Sequence, residues 1–336
     1  MSAFIKAISY YLPQEVLSNE EISRNFPEWS TEKIAQKVGI TERHIAGKNE
    51  TAGDMAFHAA EKLFSEHHIN RQDIDFVILC TQSPDYFLPS TSCVLQNKLG
   101  LKTNIGAFDF NLGCSGYIYG LAVSKGLIVA GIAKNVLLLT SETYTKYLHP
   151  LDKGNKTIFG DAATATLVST NGWGEIGEFV LGTDGAGAND LIIKSGATRH
   201  PHPYNDLYID EGGNPISSDH LYMNGGEIFT FTIEKVPALI HGTLSKNQLV
   251  QTDISWYILH QANKYILDFL RKKMSIPTER YYLNMDKVGN TVSSTIPIAI
   301  CNSMDKISKY NNILLAGFGV GLSWGATIIK CYNEHE

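Results

Sequence analysis

Asp73-Ile74-Asp75-Phe76-Val77-Ile78-Leu79 and Asp253-Ile254-Ser255-Trp256-Tyr257-Ile258-Leu259 are two versions of one segment, an acidic turn running into an apolar strand. Two further pairs accompany them. Gly113-Cys114-Ser115 is echoed by Gly289-Asn290-Thr291, each opening a small-residue helix. Lys134-Asn135-Val136-Leu137-Leu138 is echoed by Asn311-Asn312-Ile313-Leu314-Leu315. The three pairs keep their order at offsets of 180, 176 and 177 residues. Self-similarity at one spacing marks a duplicated unit. Strand and helix patterns alternate within each copy, which predicts an α/β fold with a mostly parallel sheet covered on both faces. We expect a first half over residues 1–172 and a second over 173–336. The span from about Thr183 to Leu221, with its Gly, Pro, Asn and Asp clusters, has no counterpart and reads as an inserted excursion.

Composition agrees with a globular chain of two fused halves: 336 residues, 43% hydrophobic and 18% charged. A net charge of −6 offers no basic field for nucleic acid. Five cysteines, an odd count without a C-x-x-C pair, suit a reducing cytoplasm better than a disulfide framework or a Cys-rich zinc site. Ser2 to Tyr11 reads as a strand and has no signal-peptide pattern. The most apolar window, Gly116 to Ala133, is broken by Lys125 and reads as a buried helix, so we expect no membrane span. The His200-x-His202 pair lies in the excursion without an acidic or Cys partner at set spacing, and we expect no metal site there.

Cys114 sits where an apolar strand, Ile105 to Phe110, gives way to a glycine and a helix. Backbone N–H groups and the helix dipole at such a start favour thiolate, the reactive form. The alternative is a buried cysteine packed as a small hydrophobe. The repeat adds two partners. Asn290 holds the position equivalent to Cys114, although on its own an Asn after Gly reads equally as a helix cap. His260 directly follows the repeated strand, at a carboxyl end where α/β sheets place ligands. One central pocket holding Cys114, His260 and Asn290 is therefore the expectation. A cysteine beside an imidazole and a carboxamide suits acyl transfer through a thioester, with both donors aimed at one developing oxyanion or enolate. A cysteine hydrolase is the neighbouring reading.

In these residues the chain resembles the thiolase superfamily, and most closely the β-ketoacyl-acyl-carrier-protein synthase III family. The resemblance is carried by Gly39-Ile40 with Glu42-Arg43-His44, Gly113-Cys114-Ser115-Gly116, Phe159-Gly160-Asp161, His260-Gln261-Ala262-Asn263, Gly289-Asn290-Thr291, and Gly317-Phe318-Gly319-Val320-Gly321 before Trp324-Gly325. It implies two βαβαβαββ halves in a five-layered αβαβα sandwich. It implies that Cys114 takes an acyl group from acyl-CoA, and that His260 and Asn290 hold the thioester carbonyl of malonyl-acyl-carrier-protein during decarboxylation. The resulting enolate then attacks the acyl-cysteine.

The same resemblance places the backbone N–H groups of Cys114 and Val320 in an oxyanion hole and packs Phe318 between Cys114 and His260. It sets Trp29, Lys37, Lys153 and Asn263 at the CoA and carrier-protein mouth, and puts Leu88 on a loop that lines a partner's acyl pocket in a homodimer. No cofactor is implied beyond the thioester substrates. Lys37 and Lys153 depart from the arginines usual at their positions, so they keep the charge but lose the planar fork. Tyr265 stands where a basic residue is common. The competing reading within the family is transfer of the acyl group to a hydroxyl or amine acceptor, with His260 as general base. A CoA- or carrier-binding module without activity is the non-enzyme alternative.

Overall fold

The computed structural model describes residues 2–307 and 311–332. Two five-strand patterns run through it. The first comprises β1 (Phe4–Tyr11), β2 (Phe76–Cys80), β3 (Gly106–Phe110), β4 (Asn135–Glu142) and β5 (Ala162–Ser169), paired in the order β3-β2-β4-β5-β1. β2 is parallel to β3 and β4, whereas β5 is antiparallel to both of its neighbours. The second comprises β6 (Gly174–Ile176) and β7 (Val180–Thr183), then β8 (Ile254–Leu259), β9 (Asn312–Gly319) and β10 (Ser323–Cys331). β8 is parallel to β9, β10 is antiparallel to β9, and both β6 and β7 pair with β10. The counterpart of β3 is reduced to a single parallel bridge between Tyr257 and Tyr281. Both copies thus share one strand order and one antiparallel exception. β6 also pairs with β1, which joins the copies edge to edge into one ten-stranded sheet.

Helices complete the sandwich. In the first copy α1 (Ala52–Glu66) and α2 (Thr91–Lys98) cover one face, and in the second α4 (Gly225–Lys246) and α5 (Lys264–Lys273) cover the opposite outer face. Between the copies lie α3 (Gly116–Val129) and α6 (Thr295–Cys301). α3 packs on strands of both copies through Tyr117, Ile118, Leu121 and Ile128, while Val123, Gly126 and Val129 form an exposed outer stripe. The central strands read as apolar runs because both of their faces are covered; every residue of β5 is buried. α1 is closed by a reciprocal capping box between Thr51 and Asp54.

The excursion lies between β7 and α4. It carries two short antiparallel ladders, Leu191–Ile192 with Tyr222–Met223 and Tyr208–Ile209 with Pro215–Ile216. It returns the chain to Asn224, which caps α4. No helix among the described residues is long and apolar enough to cross a membrane.

Candidate active site

The two copies lend each other the parts of the site. Cys114 lies two residues before α3 and is buried. Its closest surroundings come from the second copy. A Cβ on Gly319 would lie 2.8 Å from Cys114 Cβ and 2.9 Å from its sulfur, so only glycine lets the end of β9 pass the thiol. The hydroxyls of Ser115 and Ser323 stand 2.7 Å apart and join the helix start to β10. In return, the first copy holds Asn290. The Asn290 N–H donates to Ile158 O at 2.9 Å, and its carbonyl accepts from Gly160 N–H at 3.0 Å.

Beneath this ladder Arg43 is fully buried. Its guanidinium donates to Leu17 O (3.0 Å), Asn19 Oδ1 (2.9 Å) and Thr157 O (2.7 Å). Burial lowers its pKa to about 10. The Phe159-Gly160-Asp161 and Glu42-Arg43-His44 motifs are therefore scaffolding under Asn290. Asp161 is buried too and accepts from Ala46 N–H (2.8 Å), Thr145 N–H (3.0 Å) and the Thr145 hydroxyl.

Val292 aims both polar side chains of the second copy. Its N–H donates to Asn290 Oδ1 at 2.9 Å, which fixes the carboxamide and leaves Nδ2 at the free end, 3.4 Å from Ala262 O. The Val292 carbonyl accepts from the Thr295 hydroxyl at 3.1 Å, and Thr295 Oγ1 lies 2.8 Å from His260 Nδ1. Val292 has a φ of 54° and packs in the same apolar cluster as Cys114. A β-branched residue in the left-handed region costs of order 1–3 kcal/mol, a strain that clusters at functional sites. The equivalence of Asn290 with Cys114 is looser than the repeat suggests. Asn290 neither caps nor opens a helix, because a 3₁₀ turn, Val292–Ser294, separates it from α6. His260 follows β8 as expected, and its N–H donates to Ala316 O at 2.8 Å. Phe318 meets its ring edge-on with centroids 5.8 Å apart.

The electrostatics reverse one expectation. Burial pushes the Cys114 thiol up to about 12, with Glu142 adding to the rise and the backbone N–H groups of Val320 and Cys114 opposing it. The helix start does not produce a resting thiolate, because desolvation outweighs the N–H groups. Glu142 is itself fully buried and raised well above the carboxylate range, while accepting from Gln82 N–H and the Ser83 hydroxyl. Burial lowers His260 to about 3, so its imidazole is neutral. The Thr295 hydroxyl has one proton. Given to Val292 O, it leaves His260 Nδ1–H to donate to Oγ1 and Nε2 unprotonated; given to Nδ1, it places the proton on Nε2.

Two cavities meet at Leu221, which packs in the same cluster as Cys114. One, of about 490 Å³, is lined by Trp29, Lys37, Asn263, Tyr265 and Leu221 among others. The ammonium groups of Lys33 and Lys37 stand about 6 Å from the Trp29 ring centroid. Asn263 also caps α5 by accepting from Ile266 N–H at 2.9 Å. Lys153, expected at this mouth, is engaged by Glu28 at 3.1 Å, while its neighbours Asp152, Gly154 and Asn155 supply the wall. The second cavity is lined by Gln82, Phe87, Leu88, Tyr144, Leu221 and Val320 among others. Leu221 belongs to both, and Leu221 and Tyr144 pack in the Cys114 cluster. The excursion therefore supplies walls to both cavities. Leu88 is 83% exposed, beside Phe87 at 82%. Among the described residues no group of three or more His, Cys, Asp or Glu is placed to hold a metal ion.

Four residues that matter here escape the sequence pattern. Thr295 and Val292 act through backbone geometry that leaves no spacing signal, and Leu221 stands inside a stretch with no repeat. Gln82 carries a signal in the sequence, since it stands two residues past the carboxyl end of a parallel strand.

A duplicated α/β unit whose copies each brace the other's part of a site around one buried thiol defines a member of the thiolase superfamily. Comparison with known proteins narrows this. Residues 108–185 match the family model 3-oxoacyl-[acyl-carrier-protein] synthase III, and residues 244–331 match its C-terminal model. A β-ketoacyl-[acyl-carrier-protein] synthase III of Clostridium perfringens is 38% identical over 323 residues, 95% of this chain and 96% of that protein. One from Fusobacterium nucleatum is 35% identical, covering 97% and 98%. A crystal structure of a 3-oxoacyl-(acyl-carrier-protein) synthase III superposes with a TM-score of 0.96 at 45% identity, covering 98% of this chain and 100% of that one. The chain belongs to the β-ketoacyl-acyl-carrier-protein synthase III family.

Proposed function

We propose that this chain is a decarboxylative condensing enzyme of fatty acid or related biosynthesis, an acyltransferase that joins an acyl group held on Cys114 to malonyl-acyl-carrier-protein. The names of its relatives support the activity. The observation that carries the assignment of residues is the Val292 relay, which aims the Asn290 carboxamide and the His260 imidazole from one backbone unit beside Cys114. In this reading residues 1–172 form the half with the nucleophile and residues 173–336 the half with the donors.

The steps follow from the protonation states. Cys114 rests as a thiol. As it attacks the acyl-CoA carbonyl, its proton passes to the unprotonated Nε2 of His260 and then to the departing CoA thiolate. The oxyanion of this step lies against the N–H groups of Cys114 and Val320, which already face the sulfur. For condensation the imidazole takes up a solvent proton at Nε2 after CoA has left and releases the one on Nδ1; the Thr295 hydroxyl then donates to Nδ1, and Nε2–H and Asn290 Nδ2 donate to the malonyl thioester oxygen. Loss of carbon dioxide leaves its electron pair in an enolate held by those two donors. The enolate carbon attacks the acyl-cysteine and expels the Cys114 thiolate, which takes a proton from solvent, the one proton the cycle consumes. A neutral, desolvated site favours this charge-dispersing step over attack by water.

The cavity with Trp29, Lys37 and Asn263 would admit the pantetheine arm of acyl-CoA or carrier protein, and Lys153 would contribute charge beside it. Tyr86, Phe87 and Leu88 form an exposed apolar loop beside the second cavity, which supports a homodimer in which a second copy covers that loop. Five unpaired thiols suit the cytoplasm. No cofactor enters the scheme.

The test is to weigh the protein after incubation with short acyl-CoAs and then supply malonyl-acyl-carrier-protein. An adduct on Cys114 followed by carbon dioxide release is expected. No adduct from any thioester overturns the reading. An adduct that never leads to decarboxylation would point instead to transfer onto a hydroxyl or amine.

A further inference from the structure

One wall of the second cavity is polar, beside the apolar residues that pack with the thiol. Gln82 Nε2 donates to Asn111 Oδ1 at 2.9 Å, and the Tyr144 hydroxyl donates to Gln82 Oε1. A Cβ on Gly113 would lie 2.6 Å from Gln82 Oε1 and 2.5 Å from Val320 Cγ1, so the carboxamide reaches the residue adjoining Cys114. Gln82 has two N–H groups and spends one on Asn111. Among the described residues nothing receives the other, and nothing receives the Asn111 amide N–H groups. The Tyr144 oxygen, having donated its proton, retains lone pairs. Gln82, Asn111 and Tyr144 all line this cavity, whose remaining walls include Leu191, Ile193 and Leu221.

A plain alkyl chain extending from Cys114 along this wall would strip water from these N–H groups and return no hydrogen bond. We propose that the acyl group this enzyme takes carries a hydroxyl within its first few carbons beyond the thioester carbonyl, and that Gln82 selects for it. A hydroxyl suits the wall because it accepts from Gln82 or Asn111 and donates to the Tyr144 oxygen. The apolar residues Leu191, Ile193 and Leu221 accommodate the methylenes of the chain. The backbone tie from Gln82 N–H to buried Glu142 keeps the carboxamide aimed at the cavity by fixing its main chain. The proposal rests on Cys114 as the acylated residue.

The experiment is competitive loading of the whole protein with equimolar butyryl-CoA and 3-hydroxybutyryl-CoA, read by intact mass, with apparent kcat/KM for each donor. The native chain should load the hydroxyacyl group about tenfold faster, the scale set by one satisfied against one unsatisfied hydrogen bond. Gln82→Leu should reverse the preference while still forming a butyryl adduct. Tyr144→Phe, which keeps the ring packing, should reduce the preference without reversing it. Equal loading by the native protein, or a preference that survives Gln82→Leu, overturns the proposal and leaves the condensing activity standing. No adduct from either donor, or from any other thioester, is instead the failure of Cys114 acylation.

Discussion

His260 Nδ1 lies 2.8 Å from Thr295 Oγ1, a residue 35 positions later on the neighbouring helix α6. That hydroxyl also reaches Val292 O. Because it can donate in either direction, it satisfies both neutral forms of the imidazole, which the proposed cycle needs at different steps. Thr295→Val removes the hydroxyl at nearly constant volume and leaves the buried imidazole only its backbone contact with Val292 to set its tautomer. Turnover in the condensation assay should fall roughly 100-fold, the cost of a mis-set group at the reacting centre. Thr295→Ser should keep activity within a few fold of the native chain. Equal loss in both variants, with native near-UV circular dichroism, would mean that packing of the threonine methyl matters and the hydroxyl does not.

Cys114 should behave as an ordinary buried thiol in the absence of substrate. Its pKa of about 12 and the depressed value of about 3 for His260 exclude a resting thiolate–imidazolium pair at neutral pH. The rate of alkylation by iodoacetamide at Cys114 should climb about tenfold per pH unit from pH 7 through pH 9, since only the thiolate reacts. A plateau below pH 8 would show that the pair is ionised after all.

These two expectations mark what the sequence can and cannot carry. The duplication was legible because strands at equal offsets keep the same apolar pattern, and the strand order common to both copies follows from it. His260 was legible from its place after the repeated strand. The charge state of Cys114 was not, because desolvation depends on what β9 and the excursion pack around the sulfur, and neither contact has a local signature. Val292 and Thr295 were missed for a similar reason: a strained φ and a carbonyl shared by two partners are properties of the folded backbone. Asn290 was found through a repeat that is only approximate at that point.

Arg43 is a stability residue. Its guanidinium binds three acceptors without an ion-pairing carboxylate, under the strand bridge that holds Asn290. Arg43→Met should cost about 3 kcal/mol or more, because Asn19 Oδ1 and two carbonyls lose a charged donor at once. Urea unfolding should show a lower midpoint. The variant that remains folded at low temperature should still accept an acyl group on Cys114, which lies in the other arm of the site. An unchanged midpoint would show that water replaces the guanidinium.

Gly319→Ala tests the reach between the copies. The added methyl would stand 2.9 Å from the Cys114 sulfur and 2.8 Å from its Cβ, and neither neighbour can retreat. The Cβ belongs to the helix start, and the buried thiol packs in a cluster with Val292, Tyr144 and Leu221. The clash must therefore be relieved by moving β9 and with it the Val320 N–H that faces the sulfur. A shift of about 1 Å in such a donor costs on the order of 100-fold in rate. Acylation of Cys114 by acyl-CoA should fall by that factor. Stability should drop by about 1–3 kcal/mol, the usual cost of overpacking. Alkylation of unfolded protein by iodoacetamide should be unchanged, because the thiol itself is untouched. Native-like acylation by Gly319→Ala would mean that the loop after β9 can move without loss, and that the Val320 N–H is not part of the oxyanion hole.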